Sequence, residues 1–191
     1  RPGFLTMHAS LQPFDWWTLG VNRSFVFGGG EREVNLSTIW KAIIDPVSGD
    51  NCGGQSDLQD CNKESGNQVA SITSKFDFSV GDNFPMSIYA ELAGEVTNDH
   101  KKYLLGNKAY SLGVFLPYLT EKTSLYVEHT KFEDLWYVHH IYDEGYRNNL
   151  NVIGHWWGDR KAIADGSVGN TSTLGFDWDF HTNFHLQSTF R

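Results

Sequence analysis

The stretch that most limits how this chain folds is residues 67–96, NQVASITSKFDFSVGDNFPMSIYAELAGEV, where apolar and polar side chains alternate twice about one short turn. In the first arm Ala70, Ile72, Phe76 and Phe78 share one face, and Ser71, Thr73, Lys75 and Asp77 share the other, because successive side chains of a strand point to opposite sides. Gly81, Asp82, Asn83 and Pro85 reverse the chain, after which Met86, Ile88, Ala90 and Leu92 alternate with Ser87, Tyr89, Glu91 and Glu95. A long hairpin with one apolar face has two ways to satisfy it. A soluble sandwich covers the face with a second sheet, whereas an outer-membrane barrel turns it to lipid and keeps Lys75, Asp77, Glu91 and Glu95 in a wet lumen.

The rest of the chain favours the barrel. Leu5, Met7, Ala9 and Leu11 alternate with Thr6, His8 and Ser10, and residues 17–27 form a second strand whose alternation slips near Ser24, which predicts a bulge. Further strands are expected over residues 109–118, 124–132, 171–180 and from Phe184 onward. Tight turns near 12–15, 81–85, 119–123 and 181–183 alternate with long connections after Phe27, Val96 and Phe132, and that order is the signature of an outer-membrane barrel. Trp16, Trp17, Tyr118, Trp178 and Phe184 lie near the turn ends, where an aromatic girdle belongs; the other reading is a water-soluble barrel with aromatic core residues. The expected fold class is therefore all-β, an antiparallel up-and-down transmembrane β-barrel forming a single region over residues 1–191. About eight strands could close by themselves, but a portion of a larger barrel is favoured.

In the long connection after Phe27, Leu36, Ile39, Trp40, Ile43 and Ile44 make one apolar stripe, with Asn35 as cap and Pro46 as terminator. This predicts a short helix in an external loop, packed down as a lid or plug, or else an interface for a partner. Cys52 and Cys61 follow in a Gly/Asn/Asp-rich loop and read as a disulfide, with two reduced thiols as the alternative; their spacing does not suit zinc. The net charge of -8, with no basic stripe, argues against nucleic acid. No apolar run reaches the roughly 20 residues of a membrane helix, so any membrane crossing is by strands. The Arg-Pro-Gly start carries no leader features, which suggests a processed chain or an excerpt.

No nucleophile with a base stands out. Glu91 and Glu95, four residues apart along one strand face, lie about 13 Å apart, too far for a retaining glycosidase pair. His139 and His140 point to opposite faces of a strand, so no metal site is expected, and no cofactor. What remains is a sugar-binding surface, since flat C–H faces and hydroxyl rims suit aromatic rings set beside polar side chains. The candidates are Trp136, Tyr137, His139, Tyr142, Tyr146, Arg147, Trp156, Trp157 and Arg160; the competing reading gives the aromatics to girdle or strand packing.

Several stretches in order, TLGVNRSFVFGGG, NQVASITSKFDF, MSIYAELAGE, HHIYDEGYRNNLNVIGHWWGD and STLGFDWDF, together resemble the Wzi-type capsule assembly family. The resemblance spans nearly the whole chain. It implies a lectin built on a large barrel in the outer membrane of a Gram-negative bacterium, non-enzymatic and monomeric, whose external loops hold capsular polysaccharide. Family members are longer, which again implies an excerpt. The rival readings are an outer-membrane porin for small solutes and a soluble all-β glycan-processing enzyme using Glu91, Glu128 or Asp177 as acids.

Overall fold

A computed structural model describes residues 2–29, 34–37, 39–40, 66–81, 84–96, 105–133, 136, 142, 146–148, 151–154, 169–181 and 184–191. The two-residue periodicity becomes strands β1 (Gly3–Phe14), β2 (Trp17–Phe27), β3 (Gly66–Val80), β4 (Phe84–Val96), β5 (Leu105–Thr120), β6 (Thr123–Phe132), β7 (Arg147–Asn148), β8 (Asn151–Val152), β9 (Gly169–His181) and β10 (Phe184–Phe190). Among the described residues eight of them form one sheet in the order β1-β2-β3-β4-β5-β6-β9-β10, antiparallel throughout, and β7 pairs with β8. Within the described residues β1 and β10 each have one neighbour and the sheet is open. This is the expected up-and-down architecture. All the long connections leave one end of the sheet and all the short turns the other.

Register converts the alternation into two faces. Trp17, Phe76, Ile88, Val114, Val127, Leu174 and Phe190 stand opposite one another in succession, making an apolar row from β2 to β10. On the other face, Ser10, Gly20, Thr73, Glu91, Ser111, Thr130 and Thr171 form a parallel row from β1 to β9. Because the period is two, a slip of one residue would exchange these faces completely. Their exposures are the reverse of a water-soluble sheet: Ile72 and Leu112 are 55% and 56% exposed, whereas Thr130 and Thr171 are 5% and 6% exposed. Away from β1, whose Thr6, His8 and Ser10 are exposed, the polar face is the more sheltered, inner one.

The strand ends differ from the sequence expectation for a stated reason. β1 runs through Pro13 to Phe14, leaving only Asp15 and Trp16 in the turn, and β5 runs through Pro117 to a two-residue turn at Glu121 and Lys122. Both prolines fall inside register shifts, Leu11 to Phe14 and Leu116 to Thr120, where no ladder N–H is required of them. The bulge predicted near Ser24 is absent: β2 pairs with β3 without a break from Trp17 to Phe27. The apparent slip comes from Arg23, a polar residue on the apolar face, whose Nη2 donates to Gln68 Oε1 across the strands. In the loop after β2, Leu36, Ser37, Ile39 and Trp40 are helical and Ile39 N donates to Asn35 O at 3.2 Å, as the cap predicts. The predicted packing of that stripe is corrected at Leu36, 85% exposed, and at Trp40, also open, while Ile39 is half-buried and Ile43 and Ile44 lie outside the described residues. Cys52 and Cys61 lie outside the described residues.

A test of face assignment follows. In phospholipid vesicles Val114→Arg, at the centre of the apolar row, is expected to cost about 2–4 kcal/mol in urea unfolding, while Ser10→Arg on the inner row costs well under half of that. Equal costs at the two positions would contradict the assignment.

Candidate functional site

The inner face is a hydrogen-bonded polar wall. Tyr89 Oη donates to Glu128 Oε2 at 3.0 Å, Ser111 Oγ and Thr130 Oγ1 pair at 3.0 Å, and Thr130 Oγ1 reaches Glu128 Oε1 at 3.5 Å. Nearer β1, Asn22 Nδ2 donates to Ser71 Oγ at 2.9 Å, and His8 Nδ1 lies 2.6 Å from Asn22 Oδ1. Towards the short turns Ser87 Oγ donates to Asp77 Oδ1 at 2.5 Å, Lys75 Nζ pairs with the same oxygen at 2.9 Å, and Ser124 Oγ donates to Asp177 Oδ2 at 3.1 Å. These bonds, most of them between neighbouring strands, satisfy polar groups that a curved wall shelters from bulk water.

Three adjoining cavities of about 380, 440 and 190 Å³ lie against this wall, and Glu91 borders all three. The first is lined by Ser10, Thr18, Thr73, Tyr89, Glu91 and Glu128 among others; the second extends to Phe4, Trp136 and Tyr146. Mid-strand glycines make room for the larger side chains. A Cβ built on Gly113 would run into the ring end of Tyr89, and one on Gly175 into the ring of Tyr126, so each tyrosine lies across the backbone of the neighbouring strand.

At the long-connection end, the segment after β6 turns inward. Glu133 N donates to Lys108 O at 2.8 Å, and Lys108 N donates to Glu133 Oε2 at 3.2 Å, which fixes where the chain leaves the wall. Trp136 then packs on Phe132 with centroids 6.1 Å apart and joins Ala109, Val69 and Ala93 in the small apolar cluster. Tyr146 meets Phe4 edge-on at 6.2 Å, Ile153 N donates to Tyr146 O at 2.6 Å, and Tyr142 Oη donates to Gly28 O at 3.1 Å.

Of the residues picked from sequence, Trp136, Tyr142 and Tyr146 are thus brought to one mouth of the inner wall. Trp136 and Tyr146 are only 3% and 5% exposed, so their rings are structural cover in this arrangement and do not offer open stacking faces. Tyr142 is half-buried, and Arg147 is placed in β7. Tyr137, His139, Trp156, Trp157 and Arg160 lie outside the described residues. Sequence reasoning passed over Tyr89 and Tyr126; the signal that points to them is the pair of glycines inside otherwise alternating strands. Among the described residues no cluster of His, Cys, Asp and Glu suits a metal ion.

The buried position of Trp136 makes a sharp prediction. Trp136→Ala is expected to destabilise the fold by about 3–5 kcal/mol, measured as a fall in denaturant midpoint. An exposed sugar platform would instead lose binding with stability unchanged.

The family model described as "Capsule assembly protein Wzi" matches residues 1–183. Searches of curated proteins and of solved structures returned no match.

Proposed function

The chain belongs to the Wzi capsule assembly family, and from that premise we propose that it is an outer-membrane barrel wall that binds exported capsular polysaccharide and helps attach the capsule. The observation that carries the membrane part is the inversion of the faces, with Ile72, Phe76, Leu92, Leu112, Val127 and Leu174 open on the apolar side while Ser71, Thr130, Thr171 and Thr173 are buried on the polar side. Such a sheet suits a solvent that is apolar outside and wet inside. Aromatic stacking at the short-turn end supports the same reading. Phe14 stacks on Trp16 at 5.2 Å, Trp17 on Phe76 at 5.8 Å and Phe180 on Phe184 at 5.7 Å, where an interfacial girdle would sit. Trp17 Nε1 also donates to Ser74 Oγ at 3.0 Å, so the indole carries its own partner on the outer face.

In a bilayer the open edges at β1 and β10 require pairing, because unpaired backbone groups in hydrocarbon cost several kcal/mol each. The sheet is accordingly read as one part of a larger, monomeric barrel. Polysaccharide binding is assigned to the long-connection end, where Tyr142 is half-buried on Gly28 and the connection after β6 leaves the wall, and no chemical step is assigned to it. The porin reading is less favoured because Trp136 and Tyr146 fold in over the mouth of the wall.

Two measurements on the native protein test this. It should require detergent for extraction from envelopes and shift its gel mobility on boiling; release by a salt wash alone would sink the membrane reading. A strain lacking the gene should make polymer normally but shed more of it into the medium, and unchanged cell-bound polymer would end the attachment role.

A further inference from the structure

From the inner wall, we infer a second, lumenal glycan subsite that takes uncharged, hydroxyl-rich sugar units, with the Tyr89 and Tyr126 rings as its floor and Glu91 and Glu128 as its hydroxyl acceptors. The inference rests on the reading that this chain binds glycan, and it places one binding surface well inside the external loops. Four features of the wall carry it.

The first is how the rings lie. A tyrosine standing upright from a sheet presents an edge to whatever passes over it. Here Tyr89 leans from β4 across Gly113 of β5, and its hydroxyl is fixed on Glu128 of β6 at 3.0 Å. Tyr126 leans in the same sense from β6 across Gly175 of β9. Both rings are laid along the wall, covering backbone that a larger residue would have filled. Their supporting glycines are two strands apart and two residues out of register, hence roughly 12 Å. Two linked pyranose rings fill such a span, and the flat C–H face of a sugar is the complement of a ring held flat.

The second is the rim. The 380 Å³ cavity that Tyr89 and Glu128 line is also bordered by Ser10, Thr18, Thr73 and Ser111, a set of hydroxyls that both donate and accept. A cavity of this size with a few convergent polar groups is typical of a small-molecule subsite.

The third is charge. Glu91 and Glu128 face this cavity, while its one lysine, Lys75, is already held by Asp77 at 2.9 Å. Among the described residues none hydrogen-bonds or pairs with the Glu91 carboxylate, so it stands as an open acceptor. Two carboxylates accept hydroxyl hydrogens well and repel the carboxylate of a uronic acid. The subsite therefore selects neutral sugar units over acidic ones.

The fourth is access. Glu91 also borders the 440 Å³ cavity that reaches Phe4, Trp136 and Tyr146 at the long-connection end, so the part of the wall around Tyr89 and Glu91 is continuous with the mouth where the external segment folds in. A polymer gripped outside has a path for an end or a loop of chain to reach the inner wall.

The test uses the full-length protein folded in detergent, with three probes: the capsular polysaccharide of the producing strain, a neutral hexose oligomer and a uronate oligomer of equal length. Titration calorimetry is expected to give neutral-oligomer binding at least tenfold tighter than uronate binding. Tyr126→Ala should weaken the neutral oligomer about tenfold, equivalent to about 1.4 kcal/mol. Tyr89→Phe keeps the ring and should stay within about threefold of the parent, while Glu91→Gln should reduce the preference for neutral over uronate. Heat-shifted gel mobility reports that each variant is folded, and Glu91→Gln serves alone if Tyr126→Ala does not fold, since the Glu91 carboxylate bonds to none of the described residues. Parent-like binding by both Tyr126→Ala and Glu91→Gln, or equal binding of the two oligomers, overturns the subsite. If those variants still hold whole capsular polysaccharide, the external reading survives while the lumenal one falls. Failure of the parent to bind capsular polysaccharide defeats the external reading, and the neutral oligomer then judges the inner wall separately.

Discussion

A strand has two faces and a ladder that ties its neighbours to the same two faces, and everything else in this molecule depends on which of them meets water. Here the apolar face is open and the polar face is sheltered. Burying one aliphatic side chain away from water is worth about 1.5–3 kcal/mol, so a row such as Val114, Val127 and Leu174 left in water forfeits a large part of what folding could gain. Such a sheet suits an outside less polar than its inside. The inner wall in turn tolerates its polar load because the bonds run between strands, as from Tyr89 to Glu128 and from Asn22 to Ser71. Those bonds need the same register that aligns the apolar row, so a slip that exposed one face would break the other.

This coupling explains why the two ends of the sheet behave differently. Short turns close one end with stacked rings outside and the Asp77, Lys75 and Ser87 cluster inside. The other end carries all the long connections, and only there can chain enter the space inside the wall. The segment after β6 does so, held at its root by the paired Lys108 and Glu133 bonds and further along by Tyr142 on Gly28. Rigid wall and inserted segment are thus joined at discrete points, which lets the mouth vary in sequence while the ladder below stays fixed.

The strands were legible because alternation is written residue by residue, and so was the order of short and long connections. What misled was local. The slip at Ser24 looked like a bulge because Arg23 interrupts an apolar face, and only cross-strand register reveals that Gln68 supplies its partner. Pro13 looked like a turn residue, yet like Pro117 it is accommodated inside a strand at a point where the ladder is already out of register. The stripe around Leu36 and Trp40 gave the helical residues 36–37 and 39–40 correctly, but its expected packing as a lid or plug does not extend to those two side chains, which are open. Periodicity assigns faces; it does not assign neighbours.

The same limit governed the site. Aromatic residues crowded between Trp136 and Arg160 suggested a sugar surface by composition alone, and composition cannot distinguish a ring that presents its face from one that is packed away. Trp136 and Tyr146 prove to be packed away, against Phe132 and Phe4. The tyrosines on the inner wall were invisible for the complementary reason. Tyr89 and Tyr126 sit among serines, threonines and acids and read as ordinary members of a polar face. Their orientation is decided by residues on other strands, Gly113 opposite Tyr89 and Gly175 opposite Tyr126. A glycine inside a strand weakens it, so each needs a reason to be there. Read with the register, the reason is a ring lying across it. The sequence feature worth searching for in such walls is therefore an aromatic and a glycine placed opposite each other across the ladder.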